Sequence, residues 1–198
     1  MRPKGKCDEA LDEVRTAALS LLEQQSEAGN IDLLYADESR VSEQGYVPYA
    51  WQFKDEQMAI EASKGKGLNC FAMLSRSNEL IYQTTSQSIT ADFVIEQLEA
   101  FSFRLQKPTV VVLDNAKAHT AAKVKACLQG WQSRGLYLFY LPPYCPHLNI
   151  TERLWKELKG RWLRAKDYLT TDTLFYAVTL ALAAVGKNLY IHFCNVKL

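Results

Sequence analysis

The chain alternates between two hydrophobic rhythms. Residues 8–28 carry Ala10, Leu11, Val14, Ala17, Ala18, Leu21 and Leu22 at helical spacing, and Gly29-Asn30 ends the run. The pattern then shifts to short apolar runs of strand length. Residues 31–36 predict a strand ending at Asp37, and residues 68–74 and 80–84 predict two more. The polar turn Ser75-Arg76-Ser77-Asn78 joins the latter pair as a hairpin. Between them, residues 39–66 read as irregular, with Gly45, Pro48, Gly65 and the aromatic cluster Tyr46, Tyr49, Trp51 and Phe53, and with room for one short strand. Thr90 caps a predicted helix to about Leu105, with Phe93, Leu98, Phe101 and Leu105 inward. A strand at 109–113, a helix at about 118–133 and a strand at 136–140 follow. After the Pro-rich loop LPPYCPHLN, helices are predicted over about 148–165 and 171–186.

Three early strands joined by short connections should pair antiparallel. Two later strands, each preceded by a helix, should join them in parallel. The expected α/β fold is a mixed five-stranded sheet with helices on both faces, and it resembles the ribonuclease-H-like architecture. The expected division is an N-terminal helical extension at 1–30, a ribonuclease-H-like unit at 31–168, and a C-terminal helical extension at 169–198 packed on it.

Composition narrows the class. With 198 residues, 48% of them hydrophobic, the chain can bury a substantial core. No apolar run is long enough to span a membrane, and the N-terminus has no apolar segment of a signal peptide. Five scattered cysteines without CxxC spacing argue for free thiols in a reducing compartment, with a small core hydrophobe as the plain reading of each. A cytoplasmic location is expected. The net charge of +1 hides an asymmetry: residues 1–100 hold 9 Lys and Arg against 17 Asp and Glu, residues 101–168 hold 12 against 4. A basic second half suits an anionic partner such as nucleic acid, although solvated helix faces would leave the same imprint.

The charges at strand ends carry the chemistry. The run TVVVL (109–113) is wholly apolar and delivers Asp114 at its end, while Asp37 closes the first strand. In a sheet of the expected order these strands are neighbours, so the carboxylates should lie within roughly 4–6 Å, where like charges couple strongly and a cation relieves them. An oxygen-only donor set suits magnesium or manganese rather than zinc. Glu152, early in the helix after LPPYCPHLN, is the candidate third carboxylate; the alternative is a first-turn glutamate favoured by the helix dipole. Glu38 should face away from Asp37. Asn115 either bonds the turn backbone or supports the carboxylates, and His119 is either a satisfied buried histidine or a contact of DNA or the metal site. Trp155, Leu158 and Trp162 share a face and read as core. Arg153, Lys156, Lys159, Arg161 and Arg164 surround that helix and are candidate phosphate contacts. Tyr49 and Trp51 either stack on an unpaired base or pack a loop.

The segments ADES (36–39), VLDNAKAH (112–119) and LPPYCPHLNITERLWKELK (141–159) resemble the DDE transposases of bacterial insertion sequences in the mariner-type superfamily. That family's third block commonly reads LPxYSPxLNPIExxWxxLK, and 37 residues separate Asp114 from Glu152 here. The resemblance implies a catalytic triad of Asp37, Asp114 and Glu152 holding two magnesium or manganese ions. It implies strand cleavage and strand transfer at transposon ends by a nucleoid-associated protein. The partners implied are transposon-end and target DNA, a helix-turn-helix recognition unit on a separate protein or frame, and a homodimer. Cys145 stands where the family has serine, His147 where an acidic residue is common, and Ile150-Thr151 where Pro-Ile is usual. Without that proline the helix carrying Glu152 is expected to start less firmly, leaving Glu152 the mobile third ligand. Two alternatives follow: a ribonuclease-H-like nuclease without transposition, and a decayed DNA-binding remnant.

Overall fold

The computed structural model describes residues 9–43, 66–143 and 145–193, with side chains from residue 13 onward. The aromatic cluster at 46–53, Cys7 and Cys194 lie outside the described residues. In chain order the elements are α1 (Glu9–Glu27), β1 (Asp32–Ser42), β2 (Gly67–Leu74), β3 (Leu80–Thr85), α2 (Ala91–Ser102), β4 (Thr109–Leu113), α3 (Lys117–Thr120), α4 (Ala122–Ser133), β5 (Leu136–Tyr140), α5 (Thr151–Glu157) and α6 (Thr171–Ala184). The strands form one sheet of order β3-β2-β1-β4-β5. β1 pairs antiparallel with β2 and parallel with β4; β2–β3 is antiparallel and β4–β5 parallel. This is the mixed sheet expected, and the fold is ribonuclease-H-like.

Alternation along the buried strands divides the interior into two layers. Leu33, Tyr35, Cys70, Ala72, Val110 and Val112 face α1, α5 with the turn that follows it, and α6, which contribute Leu19, Leu154, Leu158, Leu174, Val178 and Leu182. Leu34, Ala36, Phe71, Met73, Val111 and Leu113 face α2 and α4, which contribute Val94, Leu98, Val124 and Trp131. Both strand faces are therefore covered, so the strands read as continuous apolar runs.

Three expectations are corrected. β1 does not stop at Asp37 but runs to Ser42, because its second half pairs with β2 in unbroken register from Tyr35↔Leu74 to Ser42↔Gly67. The helix expected over 118–133 is broken at Ala121, whose extended backbone (φ −57, ψ 147) separates α3 from α4. The helix expected over 148–165 is three pieces: a 3-10 turn at Pro146–Leu148, α5, and a wider π-type stretch at Leu158–Trp162, where Leu163 N–H reaches the Leu158 carbonyl at 3.0 Å.

The β2–β3 turn gathers distant parts of the chain. Arg76 pairs with Glu23 of α1, which also accepts the Tyr35 hydroxyl. Asn78 adopts a left-handed backbone (φ 68) that asparagine tolerates well. Its side chain takes the Ile191 N–H at 2.6 Å and donates to the Ile191 carbonyl at 3.1 Å. Gly186 (φ +75) lies so close beneath that an added Cβ would collide with the Asn78 carbonyl oxygen, so any side chain there would force the turn apart. Among the described residues, no helix is long and apolar enough to cross a membrane.

Candidate active site

Residues 33–36 are buried between the two layers, and the strand emerges at Asp37. The parallel register runs to Tyr35↔Val112; two residues on, Asp37 lies within β1 and Asp114 just past the end of β4. Glu152 arrives in the first turn of α5. Asp37, Asp114 and Glu152 line one cavity of about 440 Å³ with Asn115, Cys145 and Asn149.

The start of α5 is fastened to β1. Thr151, fully buried, donates its hydroxyl to the Tyr35 carbonyl at 2.7 Å. Asn149 donates to the Ala36 carbonyl at 3.1 Å, and its own side-chain oxygen takes the Thr151 N–H at 3.1 Å. The expectation of a loosely started helix is corrected: polar contacts to strand carbonyls do what the family's proline does by fixing φ. The Glu152 side chain itself is exposed and has no hydrogen bond or ion pair among the described residues.

Asp37 accepts the Glu38 N–H at 2.9 Å on Oδ1 and the Trp155 indole N–H at 3.0 Å on Oδ2. Burial pushes its carboxyl up to about 7, and the charges of Glu152, Glu38 and Asp114 add to that against the lowering effect of the Glu38 N–H. Asp114 moves the opposite way. The hydrogen bond from His119 holds it below the ordinary carboxylate range, with help from the Ala116 N–H, against the cost of partial burial. Two nearby carboxylates with opposed shifts are what unequal burial and one local cation produce.

That cation is His119. Its ring is fully buried, with Nδ1 2.7 Å from Asp114 Oδ1 and Nε2 2.6 Å from Glu38 Oε1. Burial alone would depress its pKa, but the two carboxylates outweigh it and raise it to about 10, so both ring nitrogens carry protons and donate. His119 is thus a buried histidine satisfied by two carboxylates, and because one of them is Asp114 it also stands directly behind the candidate metal site. Among the described residues Asn115 makes no hydrogen bond to a carboxylate: its amide donates to the Leu141 carbonyl at 2.6 Å and ties the end of β4 to the loop leaving β5.

The basic residues divide into distinct situations. Glu157, buried, pairs with Arg153 at 2.9 Å and Arg161 at 3.1 Å, so both guanidinium groups are partly neutralised. Lys156 is exposed and lines a second cavity of about 570 Å³ on the other side of Glu152, with Arg76, His147, Arg153 and His192. Lys159 is half-buried. Burial holds its ammonium below the ordinary lysine value, partly offset by Cys70, Glu152 and Asp37. Arg164 is exposed. Trp155 and Leu158 are core as expected, and Trp162 packs partly buried against them. The sequence reading missed Glu157, although Arg153-Glu157-Arg161 is spaced for i,i+4 pairing. The expectation that Glu38 faces away from Asp37 also gives no hint of its part, since alternation hides a contact made through a third residue.

A profile of the DDE superfamily endonucleases matches residues 32–174. The chain belongs to this family. Among solved structures, the Mos1 mariner paired-end complex with Mn superposes on this DDE-family chain with a TM-score of 0.68 at 16% identity, over 92% of this chain and 57% of that one. The catalytic domain of Mos1 mariner transposase gives 0.52 at 15% identity, over 97% and 100%. An intasome of simian T-cell lymphotropic virus in complex with PP2A regulatory subunit B56 gamma gives 0.55 at 16% identity, over 82% and 51%. At these identities the likeness is one of fold. The DDE-family chain spans 57% to 60% of the length of the Mos1 chains in the paired-end complexes. No curated protein matches it.

Three carboxylates at one cleft, one of them raised by burial and by its neighbours' charge, suit a hard divalent cation. Among the described residues, no three His, Cys, Asp or Glu side chains stand close enough to grip one ion as they are.

Proposed function

We propose that this chain is the catalytic domain of a metal-dependent DNA transposase, cleaving strands at transposon ends and joining them to target DNA. The observation that carries the reading is the delivery of Asp37, Asp114 and Glu152 into one cavity from a strand, the end of its parallel neighbour, and a helix pinned to that first strand. The family, and the paired-end and strand-transfer complexes named for the Mos1 structures, support it. We take residues 31–168 as the catalytic unit, with the flanking helices packed on it.

Asp37, Asp114 and Glu152 would hold two magnesium or manganese ions. Bound there, divalent ions would activate the attacking oxygen and stabilise the leaving one in an in-line displacement at phosphorus. The chain's own part is positional. β1 and β4 hold the aspartates still, Trp155 and the Glu38 N–H orient Asp37, and Glu152 swings in from α5. Lys156, Lys159 and Arg164 would meet the phosphates beside the cleft, and Arg153 and Arg161 would do so in competition with Glu157.

The test is cleavage and strand transfer on DNA carrying candidate terminal repeats, with magnesium, for the full chain and for Asp37→Asn, Asp114→Asn and Glu152→Gln. Each variant should fold and lose both steps. Cleavage that survives any one of them would overturn the site. Cleavage without joining would favour the nuclease reading.

A further inference from the structure

Glu38 shares β1 with Asp37 but alternates to the opposite face of the strand, and it ends on the histidine that holds Asp114. We propose that Glu38 is a positioning residue: through His119 it fixes the Asp114 carboxylate so that Oδ1 is committed to the protein and Oδ2 is left as the ligand atom for a divalent ion. The proposal rests on the metal-centre reading above and adds which oxygen binds and what selects it.

The geometry is specific. Asp114 Oδ1 takes two donors, His119 Nδ1 at 2.7 Å and the Ala116 N–H at 2.9 Å, whereas Oδ2 takes none among the described residues. A carboxylate anchored twice through one oxygen cannot turn about its Cβ–Cγ bond without losing both bonds, so it presents the other oxygen in a fixed direction. Asp37 differs, since each of its oxygens has one donor. The histidine can serve as anchor only because its far side is also held. With Glu38 removed, Nε2 would become a buried donor without an acceptor, and the ring would gain a reason to turn. The histidine backbone is fixed independently: its carbonyl accepts the Tyr140 hydroxyl at 3.0 Å and its N–H reaches the Ala116 carbonyl at 3.0 Å. Rotation of the ring is therefore the freedom that Glu38 removes. Partners of this kind behind a ligand typically change metal affinity by about 10–100-fold when lost.

Calorimetric titration of the full chain with manganese tests this. The unmodified chain should bind manganese and Asp114→Asn should not; unchanged binding in Asp114→Asn would overturn the metal-centre reading and this proposal with it. Given that result, Glu38→Ala should weaken manganese binding by about tenfold. Glu38→Gln, whose amide oxygen can still accept from Nε2, should bind as the unmodified chain does. A purely structural Glu38 would lower the unfolding temperature of Glu38→Ala and leave its manganese affinity intact, and that outcome overturns the proposal. Should Glu38→Ala fail to fold by circular dichroism, Glu38→Asp falls one methylene short of Nε2 and carries the same test. His119→Asn keeps a donor near the Nδ1 position but severs the link to Glu38. In that background Glu38→Ala should cause no further loss of affinity, and a second tenfold loss would show that Glu38 acts by another route.

Discussion

At the scale of single residues, the site is a set of charges each moved by a nameable neighbour. Asp37 and His119 both bind their protons more tightly in the folded chain than in the unfolded one, at about 7 against 3.8 and at about 10 against 6.5. A group whose folded pKa is raised contributes stability below its unfolded value and loses it as pH climbs through the folded value. The metal-free protein should therefore lose stability between pH 4 and 7 through Asp37, and between 6.5 and 10 through His119. Unfolding temperatures measured in chelator across that range check both, and the first fall should vanish in Asp37→Asn. With manganese present the first fall should become a rise, because an ion held at the proposed site would bind the ionised carboxylate of the folded state. The meeting of Asp37, Asp114 and Glu152 at one cavity was legible in the sequence, since carboxylates following apolar strand runs and the motif spacing mark them. The pairing of Glu38 with His119 was not, because residues 81 apart in the chain leave no periodic trace of a shared contact.

At the scale of elements, the fold was legible wherever a buried face imposes a period. β4 and β5 have the predicted bounds of 109–113 and 136–140, and the hairpin of β2 and β3 differs by single residues. What escaped were changes that no hydrophobic pattern records. The break at Ala121 interrupts an alanine- and lysine-rich run without Pro or Gly to announce it. The π-type stretch at Leu158–Trp162 keeps Leu158 inward, so the apolar spacing reads through it. The docking of α5 depends on Thr151 and Asn149, polar residues that a sequence reading assigns to loops or solvent. Thr151→Val keeps the shape and removes the hydroxyl, leaving the buried Tyr35 carbonyl without that donor. It should cost about 1–2 kcal/mol, read from the shift of the urea unfolding midpoint. An unchanged midpoint would mean that the helix entry is held by packing alone.

At the scale of the whole molecule, the basic half of the sequence is not a uniform basic surface. Residues 101–168 carry 12 Lys and Arg against 4 Asp and Glu, yet Glu157 occupies two of those arginines. If Lys156 touches one phosphate, Lys156→Ala should shrink the slope of log K against log salt by about 0.9 for duplex DNA. Arg161→Ala should shrink it less, because its charge is already met by Glu157; equal effects would mean that DNA draws Arg161 off its partner. The β2–β3 turn acts on the same scale but on a different quantity. Its own hairpin closes over a few residues, whereas the bonds from Asn78 to Ile191 span 113 positions and those from Arg76 to Glu23 span 53. Contacts between such remote positions close large loops and tend to form after the folding barrier, so their loss is felt on the way out of the native state. Asn78→Ala should thus leave the refolding limb of a chevron plot nearly unmoved and raise the unfolding limb, and a slowed refolding limb would place the turn in the nucleus instead. A turn of four polar residues would then govern how long each folded molecule survives, while having little say in how quickly it is made.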